Sequence, residues 1–98
     1  MFRYTTPTLL FKLPFEASEL TEAYITLVQK NKTIEKVLSD CTTDEQNLCL
    51  VLTQEETGQL EAQRDTQVQL RCKDGSGKVY ASKVFKIQID EVLKEGEI

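Results

Sequence analysis

The residues of this chain that could do chemistry are its cysteines and its acidic side chains, because histidine is absent altogether. Cys41, Cys49 and Cys72 are odd in number and widely spaced, with no C-x-x-C pair. A structural zinc site generally needs four Cys or His ligands, which this set cannot supply. We therefore expect no metal site and no cofactor, and interpret the cysteines as reduced thiols that pack as small apolar side chains.

The lack of histidine also removes the usual general base at neutral pH, and with it the Ser–His and Cys–His nucleophile systems. The sequence has 16 acidic residues, but they fall mainly in predicted loops, turns and the C-terminal tail. A carboxylate pair needs rigid support that such positions do not offer. We predict that the protein is not an enzyme and has no catalytic or cofactor-binding residues.

Two polar segments invite a ligand-binding interpretation. Residues 74–77, Asp-Gly-Ser-Gly, lack the pattern of a phosphate or calcium loop and are typical of a hairpin turn. Asp40, Asp44 and Glu45 form an acidic cluster beside Cys41, in a segment, residues 40–47, that we predict to be a solvated loop. A weak cation site in this cluster remains the alternative.

Alternation of apolar and polar residues with period two predicts most of the secondary structure. The predicted strands are residues 7–13, 23–30, 33–38, 48–52, 66–73 and 78–89. The last strand loses its phase near Ala81-Ser82-Lys83, where a β-bulge would restore it. Thr53 followed by Glu56 is a capping box, which predicts one or two helical turns.

These elements predict an all-β, mainly β fold: an antiparallel two-sheet immunoglobulin-like sandwich of about six to seven strands with one short helical turn. We expect residues 1–98 to form a single domain, with residues 90–98 as a loosely ordered tail.

Charge and hydropathy limit the class of partner. The net charge is −4, and the basic residues are scattered singly, so we do not expect nucleic acid as a partner. No segment approaches the roughly 20 apolar residues that span a bilayer, and the N-terminus lacks the features of a signal peptide. We expect no membrane partner, and a cytoplasmic protein or one that leaves the cell only within a larger particle.

Strand parity also predicts apolar side chains on the outer faces of the sheets, where they often mark an interaction surface. The candidate protein-interface residues are Leu10, Tyr24, Val28 and Val84, with Val92 and Leu93 in the tail. The alternative is that loops, the helical turn or the tail cover these side chains within the monomer. The N-terminal strand could also add to the sheet of a neighbouring subunit.

The order of several segments carries a resemblance to a known group of proteins. It runs from residues 5–8 (Thr-Thr-Pro-Thr) through residues 11–15, 23–29, 38–41, 50–57 and 68–71 to Ala81-Ser82 and a final alternation of Ile and Val. This order resembles small uncharacterised prophage proteins of Gram-positive bacteria, and is similar to the immunoglobulin-like N-terminal domain of phage baseplate upper proteins. The motifs are structural and transfer no site residue.

The resemblance implies a non-catalytic structural or assembly module of a phage or prophage particle, associated with its tail or baseplate. Such a module would act through sheet-face and sheet-edge contacts with itself, as a homo-oligomer, or with other phage structural proteins. Its expected location is the bacterial cytoplasm or the virion. The alternative is a stand-alone protein-binding or regulatory module of a mobile element.

Overall fold

The computed structural model describes residues 1–98 and contains eight strands in two antiparallel sheets. In chain order the strands are β1 (Thr8–Lys12), β2 (Leu20–Gln29), β3 (Lys32–Val37), β4 (Cys41–Asp44), β5 (Asn47–Val51), β6 (Asp65–Asp74), β7 (Val79–Ala81) and β8 (Phe85–Gln88). One α-helix, α1 (Gln54–Gly58), lies between β5 and β6, and 3-10 turns precede β2 and β4.

The two sheets pack face to face, so the predicted all-β sandwich is confirmed. The smaller sheet has the strand order β1-β5-β4. In the larger sheet β3, β2 and β6 lie side by side, and the far edge of β6 pairs with both β7 and β8. The strands β2 and β6 are the longest, and their pairing forms the centre of the molecule.

The core forms from the inward-facing residues of both sheets. The 13 residues of the main buried cluster are Phe11, Leu13, Ala17, Leu20, Ala23, Ile25, Leu27, Leu48, Leu50, Leu52, Val68, Leu70 and Cys72. Within the strands they occupy alternate positions, as expected when one face of an antiparallel sheet is buried. The exception is Leu20, which is separated from the rest of β2 by a shift in the register with β6. These residues define the inward faces of β1, β2, β5 and β6.

The expectation of a loop at residues 40–47 is wrong. Residues Cys41–Asp44 form β4, which pairs with β5 through a tight turn at Glu45-Gln46. Glu45 adopts a left-handed conformation with φ of 51° in that turn. All of β4 except Cys41 is exposed, so its sequence lacks the apolar alternation that marks a half-buried strand.

The bulge predicted near residues 81–83 is present and divides the last strand in two. Arg71 pairs with Ala81, whereas Val68 pairs with Phe85, so three steps along β6 match four steps on its partner. The extra residue lies beside Ser82, whose hydroxyl accepts from the Leu70 N–H at 3.0 Å. With β4 and this division, the strand count rises from the predicted six or seven to eight.

The predicted capping box begins α1. The Glu56 N–H donates to Thr53 Oγ1 at 3.1 Å, and the Thr53 N–H donates to Glu56 Oε1 at 2.9 Å. Lys36 on β3 also donates to the Glu56 carboxylate. Gly58 at the end of the helix lies against the ring of Tyr4, where a Cβ atom would stand 2.4 Å from Cε1.

The tail, residues 90–98, contacts the N-terminal segment. The Asp90 N–H donates to the Met1 carbonyl at 2.8 Å, and Arg3 pairs with Glu91 and Glu95. At the chain end, Gln54 exchanges two hydrogen bonds with the backbone of Ile98. The segment that we expected to be loosely held therefore has specific contacts at both of its ends.

Acidification is expected to destabilise the fold through Glu56 and Asp74. Burial alone would raise the pKa of Glu56, but hydrogen bonds from Lys36 and Thr53 bring it below its ordinary value. The pKa of Asp74 is lowered by the Ser76 hydroxyl and by further donors in the β6–β7 turn. Because both pKa values are lower in the folded state, their stabilisation is present above the unfolded-state values of about 4 and is lost as the pH falls through the folded ones.

Urea unfolding at pH 7, 5, 4 and 3 measures this effect. The variant carrying both Glu56→Gln and Asp74→Asn keeps acceptor oxygens at the two sites but loses their charges. We expect its free energy of unfolding to decrease less between pH 5 and pH 3 than that of the wild type. Equal pH dependence for the two proteins would contradict the assignment.

Candidate protein-interaction surfaces

An uncovered apolar patch lies on the outer face of the smaller sheet. Leu10 on β1 pairs with Cys49 on β5, and Val51 lies two residues along from Cys49 on the same face. Leu10 is 63% exposed and Val51 is 56% exposed. No helix, loop or tail segment covers them, so the alternative of masking within the monomer does not hold for this face.

Tyr24 and Val37 are exposed next to each other on the outer face of the larger sheet. Tyr24 lies between Val37 on β3 and Arg71 on β6, and is 41% exposed. Its hydroxyl donates to the Glu22 carboxylate at 3.2 Å. Tyr24 is therefore accessible from solvent, in a mainly polar setting.

Further along the same face, Val28 and Val84 line one open groove together with Thr26, Gln67 and Gln69. Val28 is half-buried there, while Val84, in the bulge between β7 and β8, is 52% exposed. The structure thus brings together two predicted interface residues that are far apart in the sequence.

The two candidates in the tail differ from each other. Leu93 is fully exposed, whereas Val92 is half-buried. Arg3 pairs with Glu91 and Glu95, on either side of these two residues, and so holds this part of the tail against the body of the protein.

The six predicted interface residues therefore lie in three places and do not form one site. Sequence reasoning also left several exposed apolar side chains out of the candidate set: Phe2, Val37, Val51, Val79, Phe85 and Ile98. By strand parity Val51 lies on the outer face, between the inward-facing Leu50 and Leu52. Phe85 faces inward by parity, but it lies in an edge strand where the smaller sheet does not fully cover it.

The edges of the sheets differ in their protection. On β3, the charged residues Lys32, Glu35 and Lys36 oppose the addition of another strand. The strand β4 is only four residues long and packs against both 3-10 turns, and the edge formed by β7 and β8 is broken by the bulge. Only β1 presents a regular apolar edge, with Lys12 as its single charge.

The thiols of Cys41 and Cys72 show no sign of activation. Burial raises the pKa of Cys41 and of Cys72, which favours the protonated thiol over the nucleophilic thiolate. All three cysteines are unpaired, and no cluster of three or more His, Cys, Asp or Glu side chains has the geometry to hold a metal ion.

Comparison with known proteins gives no relative: no family model, no curated protein and no solved structure matches this chain. No helix in the structure combines the length and apolar character that crossing a bilayer requires. The fold defines an antiparallel β-sandwich with exposed apolar side chains on its outer faces and an open edge at β1.

Proposed function

We propose that this chain is a non-catalytic assembly module that acts through the face and edge of its smaller sheet. The observation that carries the proposal is the position of β1. It is an apolar edge strand that bears the exposed side chain of Leu10 and lies next to the exposed Val51 of β5. Partners are copies of the same chain or other structural proteins.

The free backbone groups of a sheet edge must be solvated by water unless another strand pairs with them. An edge strand presents unpaired N–H and C=O groups that can pair with another chain, and natural proteins usually protect such edges with charge, bulges or short length. Here β3, β4 and the edge formed by β7 and β8 carry those protections, whereas β1 has no bulge and a single charge, Lys12. Added strands gain main-chain hydrogen bonds, while neighbouring apolar side chains such as Leu10 gain burial.

The proposed setting is a phage or prophage particle, at its tail or baseplate. The support is the resemblance of the segment order to prophage proteins and to the N-terminal domain of baseplate upper proteins. The neighbourhood of the encoding gene tests this setting. We expect the gene to lie among capsid and tail genes, and a gene surrounded only by regulatory genes would contradict the setting.

Light scattering on a sizing column, at several protein concentrations and with reductant present, tests the assembly function. We expect a discrete oligomer whose population increases with concentration and does not depend on disulfide formation. A monomer of 11.2 kDa at every concentration would contradict self-assembly and favour the alternative, a module that docks onto a different protein.

A further inference from the structure

Resting on the proposed assembly function, we infer that the partner of the β1 edge is the β1 edge of a second copy, paired antiparallel about a two-fold axis at Leu10. The resulting dimer would join two smaller sheets into one continuous sheet. The assembly function by itself specifies neither the partner of β1 nor the orientation and register of the pairing.

The backbone N–H and C=O groups of β1 point alternately toward β5 and away from it. Leu52 N–H donates to the Pro7 carbonyl, and Leu13 N–H donates to the Gln46 carbonyl, at 3.0 and 2.7 Å. Bonded pairs alternate along an antiparallel ladder, so the odd-numbered residues of β1 bond to β5. Thr8, Leu10 and Lys12 consequently direct their N–H and C=O groups away from β5.

These outward groups have no partner within the chain. The strand β1 pairs only with β5, and no hydrogen bond from elsewhere in the chain reaches the backbone of Thr8, Leu10 or Lys12. Each residue therefore offers one free donor and one free acceptor. Pro14 would occupy the next outward position, but proline has no N–H, so the free edge ends at Lys12.

The free backbone groups also select one register for the two β1 strands. An axis at Leu10 places Leu10 opposite Leu10 of the second copy, and Thr8 opposite its Lys12. All the free donors and acceptors of both strands are then paired. Within the strand Thr8–Lys12, a shift by two residues in either direction would leave one outward residue of each strand without a partner residue, which is costly at an interface.

The side chains of β1 make a second copy of this strand a suitable partner for the β1 edge. An added strand must continue both the apolar inner layer and the mixed outer face, because strand side chains alternate between the two. The sequence of β1 has this pattern: Leu9 and Phe11 face inward, and Leu9 would lie opposite Phe11 of the second copy. No like charges face each other, since each Lys12 would lie opposite a threonine.

The inner layer beside the edge is also incompletely covered. The ring of Phe85 lies 6.0 Å from that of Phe11, centroid to centroid, and Phe85 remains 39% exposed. Leu9 is only partly buried. Two apolar side chains from an added β1 strand would extend the inner layer at this place, which gives the pairing an apolar contribution besides its hydrogen bonds.

The register is tested by changing the charge at Thr8, which is exposed and makes no side-chain hydrogen bond. Thr8→Glu should tighten the dimer about three- to tenfold, because the new carboxylate lies opposite Lys12 of the other copy in both symmetric positions. Thr8→Lys should weaken the dimer by a similar factor. The readout is the dimer dissociation constant from sedimentation equilibrium, in low salt.

Thr42 supplies the matched controls, Thr42→Glu and Thr42→Lys. Thr42 is an exposed threonine on the outer face of the same sheet, paired with Cys49 from the other side, on the edge that the proposal leaves free. These variants change the net charge equally, so they correct for overall repulsion between the acidic copies. We expect them to change the dissociation constant less than the Thr8 variants do.

Two further measurements examine the edge directly. Leu10→Pro removes an N–H that points away from β5, so the fold should persist by circular dichroism while the dimer weakens at least about 30-fold. In the wild-type protein, raising the concentration should slow amide exchange at Thr8, Leu10 and Lys12, whereas Leu9 and Phe11 are already protected by β5.

The outcomes separate the two proposals. A dimer that responds to Thr8 and Leu10 as described supports the pairing. An oligomer whose dissociation constant shifts equally for the Thr8 and Thr42 variants, and whose even-numbered β1 amides stay unprotected, overturns the pairing but leaves the assembly function standing. A monomer at every concentration overturns the pairing and self-assembly, and leaves only assembly with a different protein.

Discussion

Leu50→Ala is expected to lower the free energy of unfolding by about 3–4 kcal/mol, the largest effect of any single substitution considered for this protein. Leu50 lies in the central strand of the smaller sheet and has no exposed surface. It pairs with Leu9 on one side and with Cys41 on the other. Truncation would leave a cavity where the two sheets meet, and the flanking strands restrict the collapse that could fill it.

Urea unfolding followed by circular dichroism measures the loss, at a concentration low enough to avoid linkage to self-association. Leu10→Ala is the matched control, because Leu10 is also a leucine of the smaller sheet but is 63% exposed. We expect its free energy of unfolding to change by no more than about 0.5 kcal/mol. Similar losses for the two variants would contradict the assignment of inner and outer faces.

Arg3→Ala is expected to lower the free energy of unfolding by about 2–3 kcal/mol and to release the tail. The guanidinium group donates to the carbonyls of Leu60 and Gly58 at 2.8 and 2.9 Å, and to the carboxylates of Glu91 and Glu95. It therefore connects the N-terminal segment, the end of α1 and the tail. Its removal leaves partly buried carbonyls without a donor.

Two readouts distinguish this role of Arg3 from a general effect of charge. Amide exchange should become faster in residues 90–98 of Arg3→Ala, while the centre of β2 stays protected. Arg64→Ala is the control, because Arg64 forms only an exposed ion pair with Glu61, and such pairs contribute about 0–1 kcal/mol. Arg3→Lys should restore little, since one ammonium group cannot reproduce the planar fork of donors. Unchanged exchange in the tail of Arg3→Ala would refute the connection.

The candidate surfaces show how far strand parity extends. Parity placed Leu10, Tyr24 and Val84 outside the core, and each is exposed in the structure. It could not show that Val28 and Val84 line one groove, because their proximity depends on the pairing of β2, β6 and β8. Nor could it show that Val92 is half-buried, since the contacts that hold the tail come from Arg3, at the opposite end of the chain.

The sequence by itself determined those structural features that depend only on residues close together in the chain. The alternation in β2 and β6, the capping box of Thr53 and Glu56, and the phase break near Ser82 are all local patterns, and each has its expected structure. The strand β4 was missed because its exposed residues Thr42–Asp44 carry no apolar alternation, and a strand of this kind is defined by its partner β5.

Only the tertiary structure decided which strands became edges, and therefore which backbone groups remain free. Period-two alternation fixes the face on which a side chain lies but is indifferent to what pairs on either side of the strand. The open edge of β1 follows from β5 lying between β1 and β4, an arrangement set by the packing of the two sheets over a shared core. The proposed interaction surface is thus a product of long-range pairing, whereas the residues that would contribute to it are recognisable in the sequence.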